Sequence, residues 1–127
     1  MLSKPIPITL LDSVALINSS HAGTIVVTGS HGGRSAAGFV VDVSNKPLAV
    51  FFNDAGGGKD DAGKVGLGML QAIGVPAACY SHMSARIGDA QDGLGNGILT
   101  DMNDLAKQIG IKKDMQVSEA TRRVQKQ

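Results

Sequence analysis

The stretch Thr24-Ile25-Val26-Val27-Thr28-Gly29-Ser30-His31-Gly32-Gly33-Arg34-Ser35 decides the fold. A β-branched run passes directly into glycines, a serine and a histidine, and then into apolar residues at helical spacing. That order predicts a strand, a tight loop and the start of a helix. In α/β folds, ligands sit at loops on the carboxyl ends of strands. Glycine lets the main chain approach a ligand closely, and a helix start offers unpaired N–H groups to an anion.

The same layout recurs twice. Residues 48–52 read as a second apolar strand, which runs into Asn53-Asp54-Ala55-Gly56-Gly57-Gly58-Lys59-Asp60-Asp61. A helix over about 62–73 follows, with Asp60 or Asp61 as N-cap and Gly74 just past its end. Gly63, Gly66 and Gly68 weaken that helix by roughly 1 kcal/mol each against alanine. Such a cost is tolerated where a helix lies close to a sheet or a partner helix. Residues 75–81 read as a third strand, entering Ser81-His82-Met83-Ser84-Ala85-Arg86-Ile87-Gly88-Asp89 and then a loop over 90–97.

Around these units the periodicity predicts further helices. Leu10, Val14 and Ile17 share one stripe of a helix over 10–18, with Thr9 as N-cap. Ala36, Phe39, Val40 and Val43 mark a helix over 35–42. Ile98, Met102, Leu105 and Ile109, with Leu99 and Ala106, form a stripe closed by Gly110. A short last helix starts after Ser118, with Glu119 in its first turn. Residues 3–8 or 115–117 would add an edge strand, unless a second subunit extends the sheet. The alternation predicts one α/β domain over 1–127, a small three-layer αβα sandwich with a mainly parallel sheet, Rossmann-like or flavodoxin-like. Right-handed crossovers then bring all three glycine-rich loops to one edge.

Composition narrows the function classes. The chain has 127 residues, a formal net charge of +1, three Phe, one Tyr and no Trp. Without a basic block or an aromatic series it lacks the footprint of a nucleic-acid binder. Arg122, Arg123 and Lys126 read as a solvated helix face. Cys79 is the only cysteine, so no intrachain disulfide or cysteine-based zinc site forms. Pro5, Pro7 and Asp12 interrupt the apolar start, which therefore lacks the continuous core of a signal peptide. No stretch is long enough to span a bilayer. A soluble cytoplasmic protein is the expectation. The 17 glycines exceed the usual share of about 7%. They gather just beyond apolar runs, as shaped loops do.

The first loop offers Gly29, Ser30, Gly32 and Gly33 as an anion or oxyanion cradle, with His31 as acid, base or orienting group. It lacks the G-x-G-x-x-G spacing of a dinucleotide site and the G-x-S-x-G elbow of an α/β-hydrolase. In the second, Gly56-Gly57-Gly58-Lys59 fails as a phosphate loop, because Asp60 follows the lysine and the spacing is absent. Asp54, next to the strand end, is the candidate base, metal ligand or hydroxyl-binding carboxylate. The third loop offers His82 as a proton-transfer group and Ser84 and Arg86 as ligand contacts. Arg86 forks naturally onto a carboxylate or phosphate, with an internal Arg86–Asp89 pair as the plain alternative. His31, His82 and Asp54 match a metal triad by composition only, so no metal is assigned, and the cofactor is left unknown. His21, in a turn on the opposite edge, reads as structural.

Gly-Ser-His-Gly-Gly at 29–33, Asn-Asp-Ala-Gly at 53–56 and Ser-Ala-Arg-Ile-Gly-Asp at 84–89 resemble the motifs of a family of small bacterial α/β proteins. The resemblance covers most of residues 24–110 and carries no activity, substrate or catalytic residue with it. Three readings follow from the residues themselves. The first is an enzyme on a small anionic or carbonyl-bearing metabolite, its reaction undecided among hydrolysis, elimination and isomerisation. In it Ser30, His31, Asp54, His82 and Arg86 share one pocket, with Arg86 holding a small anionic ligand. The second is a non-catalytic ligand-binding or regulatory module. The third is a structural subunit whose glycines serve close packing in a homo-oligomer. Self-association is expected in any case, because a small sheet leaves apolar surface to cover.

Overall fold

The computed structural model describes residues 6–56 and 64–126. One sheet has the strands β1 (Ile8–Leu11), β2 (Ile25–His31), β3 (Ala49–Asn53), β4 (Ala77–Tyr80) and β5 (Leu99–Met102), in that spatial order. β1 to β4 are parallel, with Ile25 beside Ala49 and Phe51 beside Ala78. β5 is antiparallel to β4. The helices are α1 (Arg34–Asp42), α2 (Gly66–Ala72), α3 (Ala90–Asn96), α4 (Asp104–Gln108) and α5 (Val117–Gln125). This is the expected α/β fold, flavodoxin-like in setting a five-stranded, mostly parallel sheet between helices.

Alternation along each strand makes two cores. Val26, Val50, Phe52, Ala77 and Cys79 face Val14, α1 and α2, whose Ala36, Ala37, Val40, Leu67 and Leu70 complete one cluster. Ile25, Val27, Ala49, Phe51, Ala78 and Tyr80 face the other way, onto Ala106, Val117, Ala120 and Val124. The described segments joining the parallel strands therefore lie on one face, and α3 to α5 cover the other. The strand order never reverses among the described parallel strands, so they form no crevice of the strand-reversal kind. Among the described residues no helix is long and apolar enough to cross a membrane.

Several expectations are corrected. Residues 10–18 are not a helix. Leu10 and Leu11 extend β1 beside Val27 and Thr28, and Ser13 caps a 3₁₀ turn at Val14–Leu16. Hydrogen bonding to β2 overrides a stripe of only three apolar residues. A second 3₁₀ turn at Ser19–His21 carries a capping box in which His21 Nδ1 accepts from the Asn18 amide, a structural role as expected. Residues 90–97 are not a loop. Asp89 caps α3 by accepting from the Asp92 amide, and Gly93 inside the helix fits a tight contact. A Cβ on Gly93 would lie 2.6 Å from the Tyr80 ring. The stripe at 98–109 is not one helix either. It breaks at Asn103, which caps α4 after β5 has paired with β4. Gly110 closes α4 with φ +91°.

Residues 115–117 supply no edge strand, because Gln116 makes only an isolated bridge to Ile98 and Val117 opens α5. Of the expected edge strand at 3–8, residues 3–5 lie outside the described residues, and the strand runs instead over Ile8–Leu11, with Ile6 and Pro7 outside it. α2 starts at Gly66, later than expected, and the cap candidates Asp60 and Asp61 lie outside the described residues, as does Gly63. The expected close approach holds at Gly66, where a Cβ would lie 2.7 Å from both Ala37 Cβ and Gly32 O. It does not hold at Gly68, which faces open space.

Asn103 locks α4 and α2 to the sheet. Its buried amide accepts from Ala77 N at 3.1 Å and Ala106 N at 3.0 Å, and donates to Leu67 O at 3.2 Å and Val75 O at 3.0 Å.

Candidate functional site

β2, β3 and β4 are parallel neighbours, so His31, Asp54 and His82 all fall on the carboxyl edge of the sheet. The described structure divides the expected site residues into three groups.

The first group is a carboxylate–histidine pair. Asp54 is 6% exposed and follows β3 directly. Its Oδ1 accepts from Gly56 N at 2.8 Å and His82 N at 3.0 Å, and lies 3.2 Å from His82 Nδ1. Thr100 of β5 donates its hydroxyl to Oδ2 at 3.3 Å. Burial pushes the Asp54 carboxyl upward, but the Gly56 and His82 hydrogen bonds outweigh it and hold the group below its ordinary value. Asp54 is thus a carboxylate, and a carboxylate only accepts. The proton shared with His82 therefore sits on Nδ1, which leaves Nε2 as the basic nitrogen on a half-exposed ring. The turn that presents Asp54 is unusual: Ala55 (φ +51°) and Gly56 (φ +75°) are both left-handed. For Ala55 that conformation costs about 1–2 kcal/mol. Gly56 packs beneath the imidazole, where an added methyl would lie 3.4 Å from His82 Cε1.

The second group lines a hollow of about 370 Å³ beside α1, formed with Asp12, Val14, Ser35, Phe39 and Ile87. Ser30 and His31 belong to it, and with Gly29 they are the last residues of β2 rather than loop residues as expected. The nest of main-chain donors expected there is engaged inside the protein. Ser30 N donates to Thr28 Oγ1, Gly32 N to Asn53 O, and Gly33 N to His31 Nδ1. With Nδ1 accepting, the neutral His31 ring carries its proton on Nε2, the opposite tautomer to His82. Ser30 Oγ accepts from Val14 N and keeps its own proton to donate. Gly29 serves an approach within the chain. A Cβ there would lie 2.4 Å from Asp89 N, because Gly88 N donates to Gly29 O at 2.7 Å.

The third group is Arg86, which lines a separate polar hollow with Asp89, Asp92 and Asn96. Arg86 and Asp89 form no ion pair, and Asp89 Oδ1 serves as the α3 cap. The Arg86 amide donates to Asp92 Oδ2 at 2.8 Å. Asn96 first, and then this amide, hold the Asp92 carboxyl below its ordinary value. Ser84 anchors its loop, donating to Ser81 O and accepting from Ile98 N. The structure thus pairs Asp54 with His82, sets Ser30 beside His31, and gives Arg86 other neighbours. Among the described residues no group of three or more His, Cys, Asp or Glu side chains is placed to hold a metal ion.

Sequence reasoning missed Thr100, because its segment reads as helix. The signal available was Gly97 before it and the cap residue Asn103 after it, which bound a short extended run. It also missed Asn53, whose amide donates to Ala85 O and accepts from Ala55 N, tying the second loop to the third. Compared with protein-family models, with curated proteins and with solved structures, the chain has no match.

Proposed function

We propose that the protein is an enzyme acting on a small carbonyl- or carboxylate-bearing metabolite, with His82 as general base and Asp54 as the group that fixes its tautomer. The observation that carries this is the 3.2 Å contact between the buried Asp54 Oδ1 and His82 Nδ1, which leaves Nε2 of a half-exposed ring to take a proton. A carboxylate behind an imidazole stabilises the imidazolium formed when Nε2 takes a proton. That proton comes either from carbon next to a carbonyl or from water, which covers isomerisation, elimination and hydrolysis.

A second reading, a non-catalytic ligand-binding module, is favoured by one observation. The hollow with hydroxyl and imidazole donors is lined by Ser30, His31 and Ser35 and not by Asp54 or His82.

The test is a panel of small ketones, aldehydes, hydroxy acids and esters incubated with the protein in D₂O and followed by proton NMR. Deuterium uptake next to the carbonyl marks isomerase or lyase chemistry, and loss of ester signal marks hydrolysis. The expected result is turnover of one class, abolished in His82→Ala and strongly reduced in Asp54→Asn. Line broadening without turnover supports the binding module instead.

A further inference from the structure

We infer that the hollow beside α1 is a small-ligand site for a molecule with an apolar body and a single carbonyl or carboxylate head, and that Phe39 and Ile87 set its specificity. This deepens the reading above by naming a ligand class, and rests on it only for placing chemistry at the carboxyl edge of the sheet.

The hollow has two unlike ends. Val14, Ala15, Ala36, Phe39 and Ile87 supply aliphatic and aromatic surface from three separate parts of the chain. Phe39 is 46% exposed and Ile87 is 55% exposed, so each keeps apolar surface in water. Large side chains left half-bare on the walls of one concavity are surface that a ligand desolvates. The other end offers donors. The Ser30 hydroxyl keeps its proton, and His31 presents Nε2–H because its Nδ1 accepts from Gly33 N. Ser35 adds a second hydroxyl. Two hydroxyls and an imidazole N–H lining one hollow call for an acceptor oxygen on the ligand.

The charge balance decides which acceptor. Among the described residues no Lys or Arg lines the hollow, and Asp12 does. Asp12 uses Oδ1 to hold Ala90 N at 3.0 Å, so it stays in place as a fixed negative charge. A phosphate dianion beside Asp12, with no lining cation to offset it, is disfavoured. A neutral carbonyl meets the donors without that repulsion, and a carboxylate, with one charge, meets less of it than a phosphate dianion does. A volume of about 370 Å³ lies at the small end of ligand sites, which fits a short aryl or branched-alkyl body.

The experiment is an amide-resolved NMR titration of the full chain with four probes: benzamide, benzoate, acetamide and inorganic phosphate. Benzamide and benzoate are expected to shift Ser30, His31, Ser35, Ala36, Ile87 and Gly88. Acetamide and phosphate are expected to bind there roughly tenfold more weakly, or not at all. Phe39→Ala and Ile87→Ser remove exposed atoms and leave the core intact, so the fold survives while benzamide binding falls by about the same factor. His31→Ala should weaken all carbonyl probes without changing their order. Phosphate binding as tightly as benzamide overturns the inference, as do shifts centred elsewhere, no shift at all, or unchanged binding in both apolar variants. A lower sedimenting mass for Phe39→Ala also overturns it, by making this face a subunit contact. If benzamide binds here but no metabolite is turned over, the enzyme reading fails and this one stands.

Discussion

Replacing Asp54 separates its shape from its charge. Asparagine keeps an oxygen where Oδ1 accepts from Gly56 N at 2.8 Å and His82 N at 3.0 Å, and its amide group meets the Thr100 hydroxyl. The charge is lost, and the long Thr100 bond reverses, with the hydroxyl now accepting from the amide. A hydrogen bond to a charged group contributes about 1.5–3 kcal/mol, and a neutral one about 0.5–1.5. Two main-chain bonds therefore make Asp54→Asn roughly 2 kcal/mol less stable at neutral pH. Asp54→Ala removes both acceptors and costs roughly 3–5 kcal/mol. The pH dependence follows from the depressed carboxyl. A carboxyl held lower in the folded state contributes all its stability above the ordinary value of 3.8 and loses it as pH falls through the folded value. The gap between wild type and Asp54→Asn should be full at neutral pH and close progressively below 3.8. Urea unfolding of the three proteins at a series of pH values reads this directly. A wild-type-to-asparagine gap that persists unchanged into strong acid refutes the charge argument. An asparagine variant less stable than the alanine one refutes the geometry.

Asn103→Ala leaves two buried N–H groups and two carbonyls without their partner, and should lower stability by about 3–5 kcal/mol in the same assay. Gly29→Ala puts a methyl on the main chain of Gly88 and Asp89, so its cost of about 1–3 kcal/mol should come with amide shifts confined to both segments. Cys79 is fully buried and desolvation raises its thiol pKa, so it should resist a thiol reagent in the native protein and react on unfolding. Leu16, Met83 and Leu48 keep large apolar surface exposed, and sedimentation at micromolar concentration should find a species heavier than the monomer.

The parallel core was legible in the sequence and its borders were blurred, for one physical reason. Strands covered on both faces read as unbroken apolar runs, and the runs at 24–28, 48–52 and 75–81 became β2, β3 and β4. β1 and β5 lie at the edges, where Leu10, Ile98 and Met102 happen to fall at helical intervals, and short stripes cannot tell the two periods apart. α3 was hidden by its glycines, of which Gly93 fits against Tyr80 and the C-cap Gly97 against Val117, while Gly95 faces open space. At the site, position along the chain placed Asp54 and His82 on one edge. What position could not give was the partner across space: Thr100 arrives from an antiparallel strand, and Arg86 shares its hollow with Asp89 and Asp92.

The uneven covering of the sheet has a consequence for how the protein is born. On one face, each connecting segment seals its own strands as it is synthesised. The other face, with Ile25, Val27, Ala49, Phe51, Ala78 and Tyr80, is sealed mainly by residues from Ala85 to Val124. Until those residues leave the ribosome, an apolar β-surface stands open to water, and this is the interval in which a nascent chain is most exposed to aggregation or chaperone capture.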